Sequence, residues 1–402
     1  MNVCFVSRRY WPAVSGMSVY AENLLRELVA LGHDVTLISQ YRDDEQGTRV
    51  YGGGPPPPER VPAGVRVVAL ASRGETVVPA DFEADVDALV RTVVGLHRER
   101  PFDVLHAQYG YPPGLAVLLA ARETGLPTVV SIQGGDGHWV GTCCTTHRDA
   151  MQAVLDASGA VLIGSASFRD EVVANLGTDP ARFRIVPGAT DVQRFTPADR
   201  PLGALSAPPV LLFHGRVDRR KGVLDLLDAL PEQARLVVSG IGPDLDEARA
   251  RADGRTTFLG YTPPDDAPDV YRAADVFVSP TYSEGFSNTI LEAMASGLPV
   301  VSTRSVGVVD CLTHEVDGLL HEPGDVAVLR QLLDRVLADG ALRARLAAAA
   351  LGQVRARYAW PVLARSVDAV YAELAGTRPD PDWSPPRGVD LSCRFRAAAH
   401  LL

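Results

Sequence analysis

An α/β protein of two Rossmann-like, doubly wound domains is the prediction, and three observations carry it. Strand-length apolar runs alternate with longer stretches of helical periodicity from residue 2 to about residue 186. A segment rich in Pro, Ala and Gly, residues 196–208, then breaks the periodicity and reads as a linker. Beyond it the alternation restarts. The expected layout is a first domain over residues 1–195, the linker at 196–208, a second domain over 209–359, a helix at 360–376 and a tail at 377–402. The two sheets are expected to face each other, with ligands held by the loops at their strand ends.

Taken in order, residues 2–7 read as a buried strand and residues 8–16 as a loop ending in Gly16. Residues 17–31 place Tyr20, Leu24, Leu28 and Leu31 on one helical face. Gly32-His33-Asp34 turns the chain into a strand at 35–39, completing a β-α-β unit. No G-x-G-x-x-G is present, so the dinucleotide fingerprint is missing. Residues 42–64, with glycines 52–54 and prolines 55–58, read as an exposed loop. Strands follow at 65–70, 104–106, 127–132, 160–163 and 183–186, with helices between them and a polar loop at 133–145. In the second half, strands are expected at 210–213, 235–239, 256–259, 275–279 and 299–302. Helices run from Pro323 to about residue 357 and again from Trp360. From Gly376 onward the pattern is lost, and the tail is expected to be loosely held apart from a last helix near residues 393–402.

Composition narrows the function. The chain is 46% hydrophobic and 22% charged, which is ordinary for a globular protein. A net charge of -10 argues against nucleic acid or an anionic membrane as the main partner. Apolar runs such as residues 115–121 are far too short to span a bilayer. The chain enters a strand at once, so no secretory signal is expected. Five cysteines without framework spacing fit a reducing cytoplasm, the expected location. Of 39 basic residues only Lys221 is lysine. Where arginine has replaced lysine everywhere else, the surviving lysine either marks a position where a compact ammonium serves and a planar guanidinium does not, or is there by chance.

Two segments carry chemistry. Residues 283–295 follow a strand and read as a loop turning into a helix, with Ser287 as its N-cap and Ile290, Leu291 and Met294 at helical spacing. Glu284 and Glu292 stand at either end of that segment. Between them a helix N-terminus offers free N–H groups to a phosphate. Acceptors for hydroxyls at both ends and an anion seat in the middle match the polarity of a nucleotide sugar. Gly215 to Gly222 form the second segment, where Arg216 and Lys221 straddle a strand-to-helix loop, with Lys221 opening the helix. Two cations there would neutralise a diphosphate leaving group without a metal.

Together these segments resemble glycosyltransferase family 4, whose members are retaining enzymes of the GT-B fold, two Rossmann-like domains facing across a cleft. The family's E-x7-E signature matches Glu284 and Glu292, and its G-R-x4-K-G matches Gly215 to Gly222. The resemblance covers roughly residues 2–376 and is most specific in the second half. It implies that Arg216 and Lys221 hold the donor diphosphate, that Glu292 binds the ribose hydroxyls, and that Glu284 contacts the hexose near its 3- and 4-hydroxyls. Backbone groups of Gly285, Phe286, Ser287, Asn288 and Thr289 would meet sugar and phosphate, and the turn ending at Thr262 would lie near the base. The helix from Trp360 resembles the one that crosses back to the first domain in that family.

The first half departs from the family pattern in three places. The usual glycine pair of the first loop reads Ser15-Gly16, where Gly16 still allows a close backbone approach to phosphate. The usual His-Gly-x-Asp reads Gln133-Gly134-Gly135-Asp136, and His138 is offered as a substitute for the missing imidazole. The usual Pro-Asn-Gly-Val-Asp reads Pro187-Gly188-Ala189-Thr190-Asp191. Gln133, Asp136 and His138 are therefore assigned to the acceptor or sugar side. A zinc site from His138, Cys143, Cys144 and His147 is set aside because adjacent cysteines lack the usual ligand spacing. Asp85-Val86-Asp87 and Asp244-Leu245-Asp246 read as solvated helix faces, not as a metal-binding Asp-x-Asp.

The expected reaction is metal- and cofactor-independent transfer of a hexose, with retention, from a nucleoside diphosphate sugar to an acceptor hydroxyl. A small soluble acceptor is favoured over a lipid, while base, hexose and oligomeric state stay open. The alternatives are an epimerase of the same fold acting on the nucleotide sugar alone, and a non-catalytic sugar-nucleotide-binding protein.

Overall fold

The computed structural model describes residues 1–398 apart from residues 14, 45–51, 380–381 and 386–387. It divides into two compact units, Met1–Val186 with Leu363–Leu402, and Pro187–Val362.

The first unit holds seven parallel strands: β1 (Asn2–Ser7), β2 (Asp34–Tyr41), β3 (Val65–Ala71), β4 (Val104–Gln108), β5 (Thr128–Ile132), β6 (Ala160–Ile163) and β7 (Phe183–Ile185). Their order is β3-β2-β1-β4-β5-β6-β7. Strand β1 is central, with Val3 in register with Val35 on one side and Val104 on the other. Its residues from Val3 to Ser7 are all buried, which is why the strand reads as an unbroken apolar run instead of an alternating one. The helix Trp360–Leu374 carries the chain back into this unit. There Tyr371 Oη lies 2.5 Å from Nδ1 of the fully buried His106, whose Nε2 meets Ser131 Oγ at 2.8 Å. Burial lowers the His106 pKa to about 3, so the ring is neutral and serves as a polar spacer between sheet and helix.

The second unit holds six parallel strands: β8 (Val210–His214), β9 (Arg235–Ser239), β10 (Thr256–Gly260), β11 (Val276–Ser279), β12 (Val300–Thr303) and β13 (Leu319–His321). Their order is β10-β9-β8-β11-β12-β13. One face buries Leu211, Val238, Val276 and Val278 against helix Val326–Ala338, and the other buries Leu212 and Phe277 against Ile290, Leu291 and Met294. Alternate residues of one strand thus serve opposite layers. Among the described residues no helix is long and apolar enough to cross a membrane.

Several expectations change. The unit boundary falls at residues 186/187, and the segment read as a linker is packed within the second unit. Arg200 Nη1 binds Asp275 Oδ1 at 2.6 Å, and the Gly203 carbonyl accepts from Arg343 Nε at 2.7 Å. Missing periodicity shows the lack of a helix or strand, not the lack of packing, and side chain to backbone bonds hold this stretch. Strand β13, three residues long, was not expected. The loop after β5 contains two short helical turns, Gly135–His138 and Val140–Thr142. Asp85 is buried, not solvated: it accepts from Ser72 Oγ at 2.6 Å and from the Arg73 and Gly74 amides. The tail is anchored: Arg396 is buried in an ion pair with Glu83 at 2.6 Å and donates to the Ala80 carbonyl. The final helix spans Arg394–Ala397, and the expectation beyond residue 398 lies outside the described residues.

Candidate active site

In the second sheet the strand order reverses between β8 and β11, and ligands of open α/β sheets bind beyond the strand ends at such a point. The loops after these two strands carry Gly215, Arg216 and Lys221 on one side and Glu284 on the other. After β8 the chain makes a turn at Arg219–Lys221, then Gly222, then helix Val223–Asp228. Lys221 therefore ends a tight turn and does not open the helix. Gly222 has φ +72°, and a Cβ there would lie 2.0 Å from the Pro280 carbonyl oxygen. That contact draws the β8 loop against the β11 loop. Tyr282 N donates to the Arg220 carbonyl at 2.8 Å, a second link between them.

The consequence is that Lys221 Nζ and Glu284 Oε1 stand 2.6 Å apart, with the two side chains 33% and 15% exposed. Arg216 is more open: its Nε lies 3.5 Å from Asp218 Oδ2. Burial alone would raise the Asp218 pKa, but hydrogen bonds from Arg220 and the charges of Arg220 and Arg216 hold it below the usual carboxylate range. The Glu284 amide donates to the Val306 carbonyl at 3.0 Å. Gly307 has φ +78°, and a Cβ there would lie 2.3 Å from the Glu284 carbonyl oxygen. Gly307→Ala is therefore expected to displace the Glu284 loop and cost about 1–3 kcal/mol of stability, read from the urea midpoint with the slope unchanged.

The helix carrying the second carboxylate is Asn288–Ala295. Ser287 occupies its N-cap position but its side chain does not cap, because its hydroxyl is 3.3 Å from Thr289 Oγ1. The helix start is left without a side-chain cap and without an acidic residue in its first turn, the arrangement that suits an anion. Phe286, between Gly285 and Ser287, packs on Tyr358 at 5.5 Å between ring centroids and fixes the loop before the helix. One turn into the helix, Glu292 Oε2 accepts from Tyr271 Oη at 2.8 Å. Burial pushes the Glu292 pKa up to about 7, against the lowering effect of the Tyr271 hydrogen bond and the Arg194 charge.

Behind Tyr271 a polar chain crosses the strand ends. Thr262 Oγ1 meets Ser239 Oγ at 2.7 Å, and Ser239 Oγ meets His214 Nδ1 at 2.8 Å. The His214 ring lies 5.3 Å from that of Tyr271, and burial lowers its pKa to about 4. Tyr271, His214, Ser239 and Gly307 escaped the sequence reading. Tyr271 looks like core in an amphipathic helix, and no spacing connects it to a carboxylate 21 residues away.

The first-unit candidates fall into different roles. Gly16 is the exposed first residue of helix Gly16–Ala30, with open space where a side chain would stand. Ser15, in place of a glycine, caps that helix by accepting from Ser18 N at 3.3 Å. Gln133 is tied through its Oε1 to Gln108 Nε2 at 2.9 Å, and Gln108 accepts from Ser7 Oγ at 2.8 Å. Asp136 is fully buried and accepts from the Gly110, Gln133 and Gly134 amides at 2.9–3.1 Å, so it folds its loop and presents no oxygen outward. His138 is buried, 4.4 Å from Phe168 between ring centroids and bound to Glu171 Oε1 at 2.6 Å. Asp136 is thus spent on backbone amides, and His138 presents its Nδ1 to Glu171 of the helix Ala166–Leu176, so the expectation that both face an acceptor finds no support in their bonding.

Comparison with known proteins agrees with this architecture. Residues 15–189 match the family described as Glycosyl transferase 4-like domain, and residues 208–339 match Glycosyl transferases group 1. The chain is 29% identical over 406 residues to a D-inositol 3-phosphate glycosyltransferase of Xylanimonas cellulosilytica, covering 90% of this chain and 93% of that one. It is 27% identical over 415 residues to a glycogen synthase of Mycobacterium tuberculosis, covering 95% and 97%. Among solved structures, Anabaena HepE in complex with UDP and glucose superposes with a TM-score of 0.74 at 16% identity, covering 93% and 100%. With both of its domains matched, this chain belongs to the group 1, family 4-like glycosyltransferases and is a glycosyltransferase of the GT-B fold.

Proposed function

We propose that this enzyme moves a hexosyl group from a nucleoside diphosphate sugar to the hydroxyl of a small soluble acceptor, with retention and without a metal ion in the reaction. The observation that carries the reading is the Lys221–Glu284 contact of 2.6 Å at the switch point, beside the uncapped start of helix Asn288–Ala295. In this reading Lys221 exchanges Glu284 for the diphosphate when donor binds. Arg216, half exposed and only loosely held by Asp218, turns to the same anion. Glu284, released from the ammonium, accepts hydrogen bonds from the hexose, and Glu292 accepts from the ribose. The UDP and glucose held by HepE support a nucleotide-sugar donor.

The bond from the anomeric carbon to the β-phosphate oxygen breaks while the acceptor oxygen bonds that carbon from the same face. The acceptor's proton passes to the departing phosphate oxygen, giving glycoside and nucleoside diphosphate. Charge growing on that oxygen is met by Lys221, Arg216 and the amides of residues 287–289, all in place before the bond breaks.

Glu284→Gln tests the division of labour. It keeps the volume and removes the charge, so turnover is expected to fall about tenfold or more while the Kd for nucleoside diphosphate changes less than about threefold. Calorimetric titration with UDP, GDP and ADP beside steady-state transfer reads both quantities. Lost diphosphate affinity with intact turnover would reverse the assignment. Product analysis with donor alone addresses the epimerase reading, which requires a new nucleotide sugar to form without acceptor.

A further inference from the structure

Four metal-ligating side chains converge in the first unit. Cys143 and Cys144 end the loop that follows β5. Cys144 occupies the N-cap of helix Thr145–Ala157, its sulfur accepting from His147 N at 3.4 Å, which sets Cys144 and His147 on one side of the first turn. The fourth residue, Cys393, comes from the tail, 246 positions beyond His147. His147 Nδ1 lies 3.0 Å from Cys143 Sγ and 3.5 Å from Cys393 Sγ, and the two vicinal sulfurs are 4.0 Å apart. All four donor atoms lie within 4.8 Å of one another.

Bonds of about 2.3 Å to sulfur and 2.0–2.1 Å to nitrogen place the ligands of a tetrahedral ion about 3.5–3.8 Å apart, within the spread seen here. The cluster is also built. His147 is fully buried, its ring 4.7 Å from Tyr111 and 5.6 Å from Phe82, so its orientation is set by packing. Among the described residues its Nε2 has no hydrogen-bond partner, and the polar contacts of the ring are made by Nδ1, which faces the sulfurs. Cys393 is delivered by a seated segment and not a free end. Besides the Arg396–Glu83 pair, Asp390 N donates to Thr146 Oγ1 at 2.6 Å.

We propose that Cys143, Cys144, His147 and Cys393 bind one structural zinc ion, which pins the C-terminal tail to the loop after β5. Three sulfurs and one imidazole select zinc over magnesium or calcium. Four protein ligands leave no open position, the mark of a structural site and not a reactive one. The ion would therefore brace the loop carrying Gln133 without entering the transfer reaction. The vicinal cysteine pair led the sequence reading to set zinc aside. Folding answers that objection by holding the two adjacent sulfurs 4.0 Å apart, and it supplies Cys393 as fourth ligand in place of His138, which is bound to Glu171.

Native mass spectrometry and elemental analysis of the full chain, purified under reducing conditions from zinc-supplemented cells, are expected to find about one zinc per chain. Cobalt exchange should give the intense thiolate-to-metal charge-transfer band and the visible bands of a tetrahedral site. Cys393→Ser should weaken zinc more than about tenfold in a chelator competition and speed proteolytic release of the tail. Cys311→Ala, a buried cysteine elsewhere, should leave the stoichiometry unchanged. A wild-type chain without metal and with five titratable thiols overturns the proposal, as does a mass 2 Da low from a disulfide. The wild-type result stands even if the Cys393 variant fails to fold. Undiminished zinc affinity in a folded Cys393→Ser chain removes the tail from the site.

Discussion

Lys221→Ala is expected to lower kcat about 10²–10³-fold, the cost of removing one preorganised charge from a developing oxyanion. Two effects add. The departing phosphate loses an ammonium, and Glu284 loses the partner now 2.6 Å away and confronts the diphosphate as a bare carboxylate. Lys221→Arg should rescue poorly, because a planar guanidinium does not reproduce the point charge that the ammonium places 2.6 Å from Glu284. A double-mutant cycle with Glu284→Gln separates the two effects. If much of the loss is carboxylate repulsion, the double variant will be faster than the single losses multiplied together predict. Steady-state kinetics at saturating donor make the measurement, and a kcat for Lys221→Ala within about threefold of wild type would remove Lys221 from the leaving-group site.

The second large effect concerns Glu292. In the proposed role Glu292 accepts two hydrogen bonds from the ribose, whose loss costs about 3 kcal/mol or more, so Glu292→Ala should raise the donor Kd at least ~100-fold while a sugar-1-phosphate lacking the nucleoside binds as before. Wild-type donor affinity should also depend on pH. The Glu292 pKa stands at about 7, raised by burial, so near pH 6 the free enzyme carries mostly the protonated acid. Ribose hydroxyls donate best to the carboxylate, and donor binding must then expel a proton. Affinity therefore rises with pH up to about 7 and levels off above it, and Glu292→Gln flattens the profile. The same raised pKa affects stability. In the free enzyme the native state holds a proton that the unfolded chain gives up near the ordinary value of 4.5. The stability from Glu292 is thus present at pH values below 4.5 and is lost as pH rises toward 7, opposite to the trend in donor binding. Opposite slopes for donor affinity and for the urea midpoint would identify one group behind both.

Much of this was readable before folding. Strand-length apolar runs and helical spacing located most strands of both sheets, because in a parallel sheet buried on both faces hydrophobicity alone marks the strand. The loops that carry Arg216, Lys221 and Glu284 were legible because each follows a recognisable strand end within a few residues, and Glu292 lies in the helix that follows the second loop. Ser287 was read correctly by position but not by role: it stands at the N-cap and its hydroxyl turns to Thr289.

What distance in sequence hides was not readable. Tyr271 reaches Glu292, His214 reaches Ser239, Gly307 makes room for Glu284, and Cys393 joins Cys143, Cys144 and His147 from far along the chain. Asp136 and His138 were assigned to the acceptor or sugar side, and in the structure Asp136 accepts from the Gly110, Gln133 and Gly134 amides while His138 binds Glu171 of a later helix. The sequence by itself determined the class of fold, the position of the strand ends and the identity of the charges placed there, since these follow from local periodicity and composition. Only the tertiary structure decided which of those charges meet, which are buried and retuned, and which are spent on folding. Burial and pairing depend on what a distant segment brings to within hydrogen-bond distance, and no local pattern records it.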